Sequence, residues 1–258
     1  MLSLLLHRNE YQTKEHLVSN KKIPQLNIRR VNPMTENQSR IFEAFGNGQH
    51  LFITGSAGTG KTFVSLYLAL NEKMNKPVYN TDIYDITIVR SAVPTRDIGF
   101  LPGDLAEKTA IYEQPYRDIV DNLYERVGMY DSLKANGEIN FLTTSFMRGL
   151  TIDHSIVIVD ETQNMNVSEL STIITRLGPS SRIIFCGDFF QTDLERERER
   201  NGLVTFMKIL SEMEEFDLIE MTENDIVRSG IAKSFIMHRN HIESNRSIDG
   251  VFANAVSA

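Results

Sequence analysis

A doubly wound α/β domain on a mostly parallel sheet is the fold this 258-residue chain predicts, and three observations carry the prediction. Strand-like apolar runs alternate with helix-like stretches along the chain. Two of the runs, "SIVIVDE" (155–161) and "RIIFCGD" (182–188), are nearly continuous, as suits strands buried on both faces of a parallel sheet. A glycine-rich stretch, "GSAGTGKT" (55–62), joins a strand-like run to a helix-like one.

The elements follow in order. Residues 1–33 lack a clear period and read as a lead-in, with one short strand near 23–28. A helix begins near Thr35, where Thr35 and Gln38 have capping-box spacing and Ile41, Phe42 and Phe45 form an apolar stripe. Residues 50–54 are a strand, 61–72 a helix and 85–90 a second strand. The Gly/Pro-containing stretch 91–104 reads as a loop. Residues 105–127 read as one helix that Pro115 should kink or split. Strands follow at 139–143, 155–161, 182–188 and 216–221, and helices at 167–177, 203–213 and 229–239. The charge-alternating "LERERERN" (194–201) reads as a solvated helix or loop, with a subunit or polynucleotide contact as the sharper alternative. The polar stretch from residue 241 onward reads as a mobile tail.

Composition narrows the function classes. Hydrophobic residues make up 41% and charged residues 24%, enough for a real core. The single cysteine, Cys186, excludes an intramolecular disulfide framework and points to a reducing compartment. No apolar run approaches the roughly 20 residues of a membrane span, and "MLSLLL" is too short for a signal peptide. A net charge of −7 argues against a wholly basic surface but allows a local basic groove. The six histidines show no metal spacing beyond His238-x-x-His241, so zinc is not expected. Cys186 reads as a small apolar filler.

The chemistry resides in three stretches. Gly55-x-x-x-x-Gly60-Lys61-Thr62 has the phosphate-loop pattern. A triphosphate needs many donors in a small concave space, and glycines let successive N–H groups point inward. A helix starting at Lys61 adds free N–H groups and the positive end of its dipole. Gly55, Ser56, Ala57, Gly58, Thr59, Gly60, Lys61, Thr62 and Phe63 are the expected nucleotide contacts, with the Lys61 ammonium on the β- and γ-phosphates and the Thr62 hydroxyl on Mg²⁺. The second stretch ends in Asp160 and Glu161, where Asp160 would hold the metal and Glu161 would act as general base toward water. The third ends in Gly187-Asp188, with Gln191 three residues on. An amide there could touch the γ-phosphate or the lytic water, and a plain turn after a strand explains Gly-Asp equally well.

Together these stretches resemble the PhoH-like family of P-loop ATPases, which is related to superfamily 1 helicases. The resemblance is carried by "NQSRIFEAF", "GSAGTGKT", "GFLPGDLAEK", "FMRGLTIDHSIVIVDETQN", "GDFFQTD" and "DIVRSGIAKSFI", over roughly residues 34–240. It implies a single RecA-like domain that hydrolyses ATP with Mg²⁺. It also implies that Gln38 reads adenine, although a capping role is compatible, and that Arg228 is an arginine finger acting in cis or in trans. Arg90 and Arg148 could contact phosphate or a polynucleotide backbone; structural salt bridges are as well supported. Only one lobe of the two-lobed helicase arrangement fits. The resemblance therefore implies a homo-oligomer, such as a hexameric ring with shared sites, acting with single-stranded RNA or DNA, RNA being favoured. The compact form suits the small phage-encoded versions of the family, and the resemblance implies the bacterial or phage-infected host cytoplasm as the compartment. Two rival readings use the same loop: a nucleotide-dependent switch with slow turnover, and a small-molecule kinase. Glu161 and Gln191 count against the kinase, because they position water.

Overall fold

A computed structural model of the chain describes residues 27–75, 83–91, 105–188 and 197–242. Six strands are β1 (His50–Gly55), β2 (Asp85–Arg90), β3 (Ile139–Thr143), β4 (Ser155–Asp160), β5 (Arg182–Gly187) and β6 (Phe216–Met221). They form one sheet in the order β3-β2-β4-β5-β1-β6, and every neighbouring pair is parallel. The doubly wound α/β fold on a parallel sheet read from the sequence is the fold observed. Strand β5 is interposed between β1, which leads into the glycine loop, and β4, which ends in Asp160.

The near-continuous apolar runs have a direct structural cause. Alternate residues of each central strand enter different cores. Ile156 and Ile158 of β4, Ile184 and Cys186 of β5, and Leu51 and Ile53 of β1 face one core. Val157, Val159, Ile183, Phe185 and Phe52 face the other. All are fully buried, so neither side of these strands tolerates a polar residue. Helices α1 (Glu36–Gly46), α2 (Lys61–Asn75), α3 (Leu105–Leu123) and α4 (Met129–Ala135) cover the first face. Helices α5 (Val167–Ile174) and α6 (Glu197–Ser211) cover the second. A last helix, α7, spans 230–242.

Two sequence expectations require correction. The predicted helix over 105–127 ends at Leu123, and a separate helix, α4, follows. Pro115 lies inside α3 without splitting it. Helix α4 lacks a local side-chain cap, because its N-cap is Gly128 at φ 81°. The Asp121 carboxylate caps it from the preceding helix instead, accepting from the N–H groups of Gly128 (2.8 Å) and Tyr130 (3.0 Å). A cap seven to nine residues upstream leaves no start signal of the usual spacing. The second correction concerns the strand expected near 23–28. Asn27 and Ile28 are not in a strand, and the rest of that range lies outside the described residues. The lead-in packs onto the domain instead: Arg29 N–H donates to the Leu123 carbonyl at 2.9 Å, closing the end of α3.

The start of α1 is as expected, with Thr35 as N-cap accepting from Gln38 N–H. Helix α6 begins at Glu197, earlier than predicted, and takes in the described part of the charge-alternating stretch. The loop 92–104 and the stretch from 243 onward lie outside the described residues. Among the described residues, no helix is long and apolar enough to cross a membrane.

Candidate functional site

All strands are parallel, so their carboxyl ends share one edge of the sheet. That edge collects the glycine loop after β1, Arg90 at the end of β2, Asp160 and Glu161 after β4, and Gly187 and Asp188 at the end of β5. The crevice outside the carboxyl ends is where an open parallel sheet binds ligands. Here it is a cleft of about 660 Å³.

The loop needs glycine at its first position for a steric reason. Gly55 has φ +125°, and a Cβ there would lie 1.9 Å from the Met221 carbonyl oxygen of the adjacent strand β6. Neither backbone can yield without breaking the β1–β6 ladder. Gly55→Ala is expected to destabilise the protein by about 3 kcal/mol or more, read as a lowered midpoint in thermal or urea unfolding. Inside the loop, the Thr59 hydroxyl donates to the Ser56 carbonyl at 3.0 Å, and both residues are buried. Ala57, Gly58, Gly60, Lys61, Thr62 and Phe63 line the cleft.

Two charged groups in the cleft are poorly compensated. The Lys61 ammonium donates to the carbonyls of Gly55 (2.6 Å) and Ser56 (2.8 Å). Burial lowers its pKa, partly offset by Asp188 and the acidic pair Asp160 and Glu161. Asp160 is 6% exposed, and burial together with neighbouring Glu161 raises its pKa against the hydrogen bonds it receives. Those bonds come from the Thr62 hydroxyl to Oδ1 (3.0 Å) and the Tyr116 hydroxyl to Oδ2 (2.9 Å). Burial, then the Asp160 charge, push the Tyr116 pKa up, so its hydroxyl stays a proton donor.

Glu161 takes a left-handed backbone conformation, φ 56° and ψ 44°, which few non-glycine residues adopt. Its carboxylate accepts a hydrogen bond from the Gln163 amide, whose oxygen in turn accepts from Asp188 N–H at 3.0 Å. Gln163 thus braces the end of β4 against the end of β5. Gln191 lies outside the described residues.

The remaining residues fall into place around the loop. Gln38 is buried; its Nε2 donates to the Thr59 carbonyl (3.1 Å) and its Oε1 accepts from Met34 N–H (2.8 Å). It therefore ties the glycine loop to the lead-in. The same amide retains a second N–H and a second lone pair. Phe63 and Arg29 form the adjacent wall, with the guanidinium 5.8 Å from the ring centroid. Arg228 lies over Gly58 within the same chain: a Cβ on Gly58 would be 2.8 Å from Arg228 Cγ. Val227 N–H donates to the Gly58 carbonyl at 3.1 Å. Arg90 lines the cleft and stacks on Tyr112, whereas Arg148 is exposed and is not among the cleft-lining residues.

Sequence reasoning missed Tyr116, Gln163 and Asn240. Asn240 of α7 donates to the Ser56 hydroxyl at 2.9 Å. Gln163 stands two residues after Glu161 in "DETQN" and could have been found by that proximity; Tyr116 and Asn240 carry no local signal.

A profile of the family described as PhoH-like protein matches residues 30–239. The chain belongs to the PhoH family. The PhoH-like protein of Mycobacterium leprae (strain TN) is 32% identical over 209 residues, which cover 80% of this chain and 57% of that protein. Protein PhoH of Escherichia coli (strain K12) is 32% identical over 203 residues, covering 77% of this chain and 55% of that one. The chain thus spans a little over half the length of these PhoH relatives. Among solved structures, the large terminase of a thermophilic bacteriophage aligns with a TM-score of 0.49 at 11% identity, covering 81% of this chain and 50% of that one. The PhoH match and the loop geometry agree on a P-loop protein.

Proposed function

We propose that the protein binds ATP in this cleft and hydrolyses it, with magnesium held beside Thr62 and Asp160. The observation that carries the reading is the 3.0 Å contact between those two side chains, which come from positions 98 residues apart. A hydroxyl and a carboxylate at one point are hard oxygen donors of the kind magnesium prefers, so the residues fit the ion. When bound, magnesium would neutralise phosphate charge and act as a Lewis acid.

The chain's own residues supply the rest. The loop N–H groups, the start of α2 and Lys61 bind the phosphates. The burial of Lys61, only partly offset by the nearby carboxylates, favours an anion next to it. Glu161 takes a proton from the attacking water as general base, with Gln163 holding its carboxylate. Gln191 would orient the same water. The free N–H and lone pair of Gln38 suit the N7 and N6 edge of adenine. Arg228, which packs beside Gly58 of its own chain, would stabilise charge on the transferring phosphoryl group, an effect worth roughly 10³–10⁵ in rate. Arg228→Ala is expected to leave nucleotide affinity within about threefold and to slow turnover at least about 100-fold. Mixing Arg228→Ala with Lys61→Ala should restore no activity if the arginine acts in cis. Recovered turnover in the mixture would place the finger in trans.

The same reading includes association with further copies of the chain and with single-stranded nucleic acid, RNA more than DNA. The support for association is α7, where Ile231, Phe235 and Ile242 lie exposed at helical spacing beside Arg228. ATPase rate with and without single-stranded RNA or DNA, and mass in solution with and without ATP, test it. Stimulation that disappears in Glu161→Gln supports a polynucleotide-coupled ATPase. A flat, slow rate with nucleotide-dependent assembly supports the switch reading, which the Asn240–Ser56 and Val227–Gly58 ties between the loop and the α7 region favour.

A further inference from the structure

Helix α3 contributes more to the cleft than a wall. Its residues 112, 115, 116 and 119 recur at the spacing of one helical face, and that face is turned to the strand ends. Pro115 and Ile119 line the cleft. Tyr112 carries the Arg90 guanidinium over its ring at 5.7 Å. Between them, Tyr116 is fully buried, with its ring against Phe141 of β3 at 5.9 Å between centroids. Its hydroxyl reaches Asp160 Oδ2 at 2.9 Å.

The geometry points to Tyr116 as the positioning residue that fixes the Asp160 carboxylate for magnesium-dependent nucleotide binding, an inference that rests on the proposed magnesium–ATP reading. A carboxylate on a strand end turns about its χ angles. Here the two oxygens are divided: Oδ1 faces Thr62, and Oδ2 is held by Tyr116. With Oδ2 tied, the carboxylate plane is set and Oδ1 stays directed at the loop hydroxyl. Partners of this outer kind typically change metal affinity about 10- to 100-fold when removed. Tyr116 is not among the described cleft-lining residues, and it comes from a different helix than the one that follows the glycine loop. It therefore makes metal binding depend on how α3 is seated.

Tyr116→Phe keeps the buried ring and deletes only the hydroxyl, so that Asp160 Oδ2 loses this donor. The test measures affinity for a fluorescent ADP analogue, once in excess magnesium and once in EDTA, in wild type and variant, with the unfolding midpoint of each nucleotide-free protein. The expected result is an affinity loss of about 10-fold in magnesium, unchanged affinity in EDTA and an unfolding midpoint within a few degrees. In the Asp160→Asn background, Tyr116→Phe should then add nothing. Equal affinities of variant and wild type in magnesium would overturn the inference, and so would an equal loss in both conditions, which is the mark of a merely structural role. Failure of the wild type to bind more tightly in magnesium than in EDTA would instead overturn the magnesium–ATP reading, and this inference with it.

Discussion

Lys61→Ala should abolish useful ATP binding. Lys61 is the only lysine among the described cleft-lining residues, and its ammonium donates to two backbone carbonyls at 2.6 and 2.8 Å, with Asp188, Asp160 and Glu161 nearby. Its burial penalty is offset when a polyphosphate replaces part of its lost hydration. Truncating one member of a buried charge pair costs about 2–5 kcal/mol, which corresponds to a loss of affinity between about 30-fold and several thousandfold. Calorimetric titration with ATP measures it directly. The variant should still fold, because removing a buried charge whose desolvation is only partly offset by nearby carboxylates compensates for the two carbonyl hydrogen bonds it loses. ATP binding of near wild-type tightness by Lys61→Ala would remove the cleft from consideration as the nucleotide site.

Glu161→Gln should separate binding from turnover. The substitution is isosteric, and the new amide oxygen can still accept from Gln163, so the left-handed backbone at this position is kept. Thr62, Asp160 and the loop are untouched. Nucleotide affinity should stay within about threefold, while single-turnover hydrolysis falls about 10²–10⁴-fold, the usual contribution of a positioned general base. A rate near that of the wild type would mean that water is activated by another group. A parallel loss of affinity would mean that the carboxylate helps to hold the metal.

The legibility of this chain follows from where its constraints are local. The strand runs could be read because β4 and β5 are buried on both faces, so each position independently demands an apolar side chain. The glycine loop could be read because its requirements are met within eight residues of chain: a left-handed or crowded backbone at Gly55, Gly58 and Gly60, then a cation and a hydroxyl. Helix α4 could not, since its cap is the carboxylate of Asp121 on the preceding helix. Tyr116 carries no local signal, and only its approach to Asp160 distinguishes it from the other buried aromatics. Whether Arg228 lies on its own loop or elsewhere was equally invisible, because the contact with Gly58 joins residues 170 positions apart.

By itself, then, the order of residues determined the alternating α/β architecture, the phosphate-binding loop and the identity of the acidic pair at the end of β4. Each of these is written in short-range periodicity or in backbone geometry that only certain residues can adopt. The tertiary structure alone decided that Thr62 meets Asp160, that Tyr116 holds the other oxygen, that Gln163 ties the end of β4 to Asp188 and that Arg228 covers the loop in cis. Those contacts span distant parts of the chain. They depend on the parallel stacking of six strands, which brings the carboxyl ends to one edge, and on helix packing that no local pattern encodes.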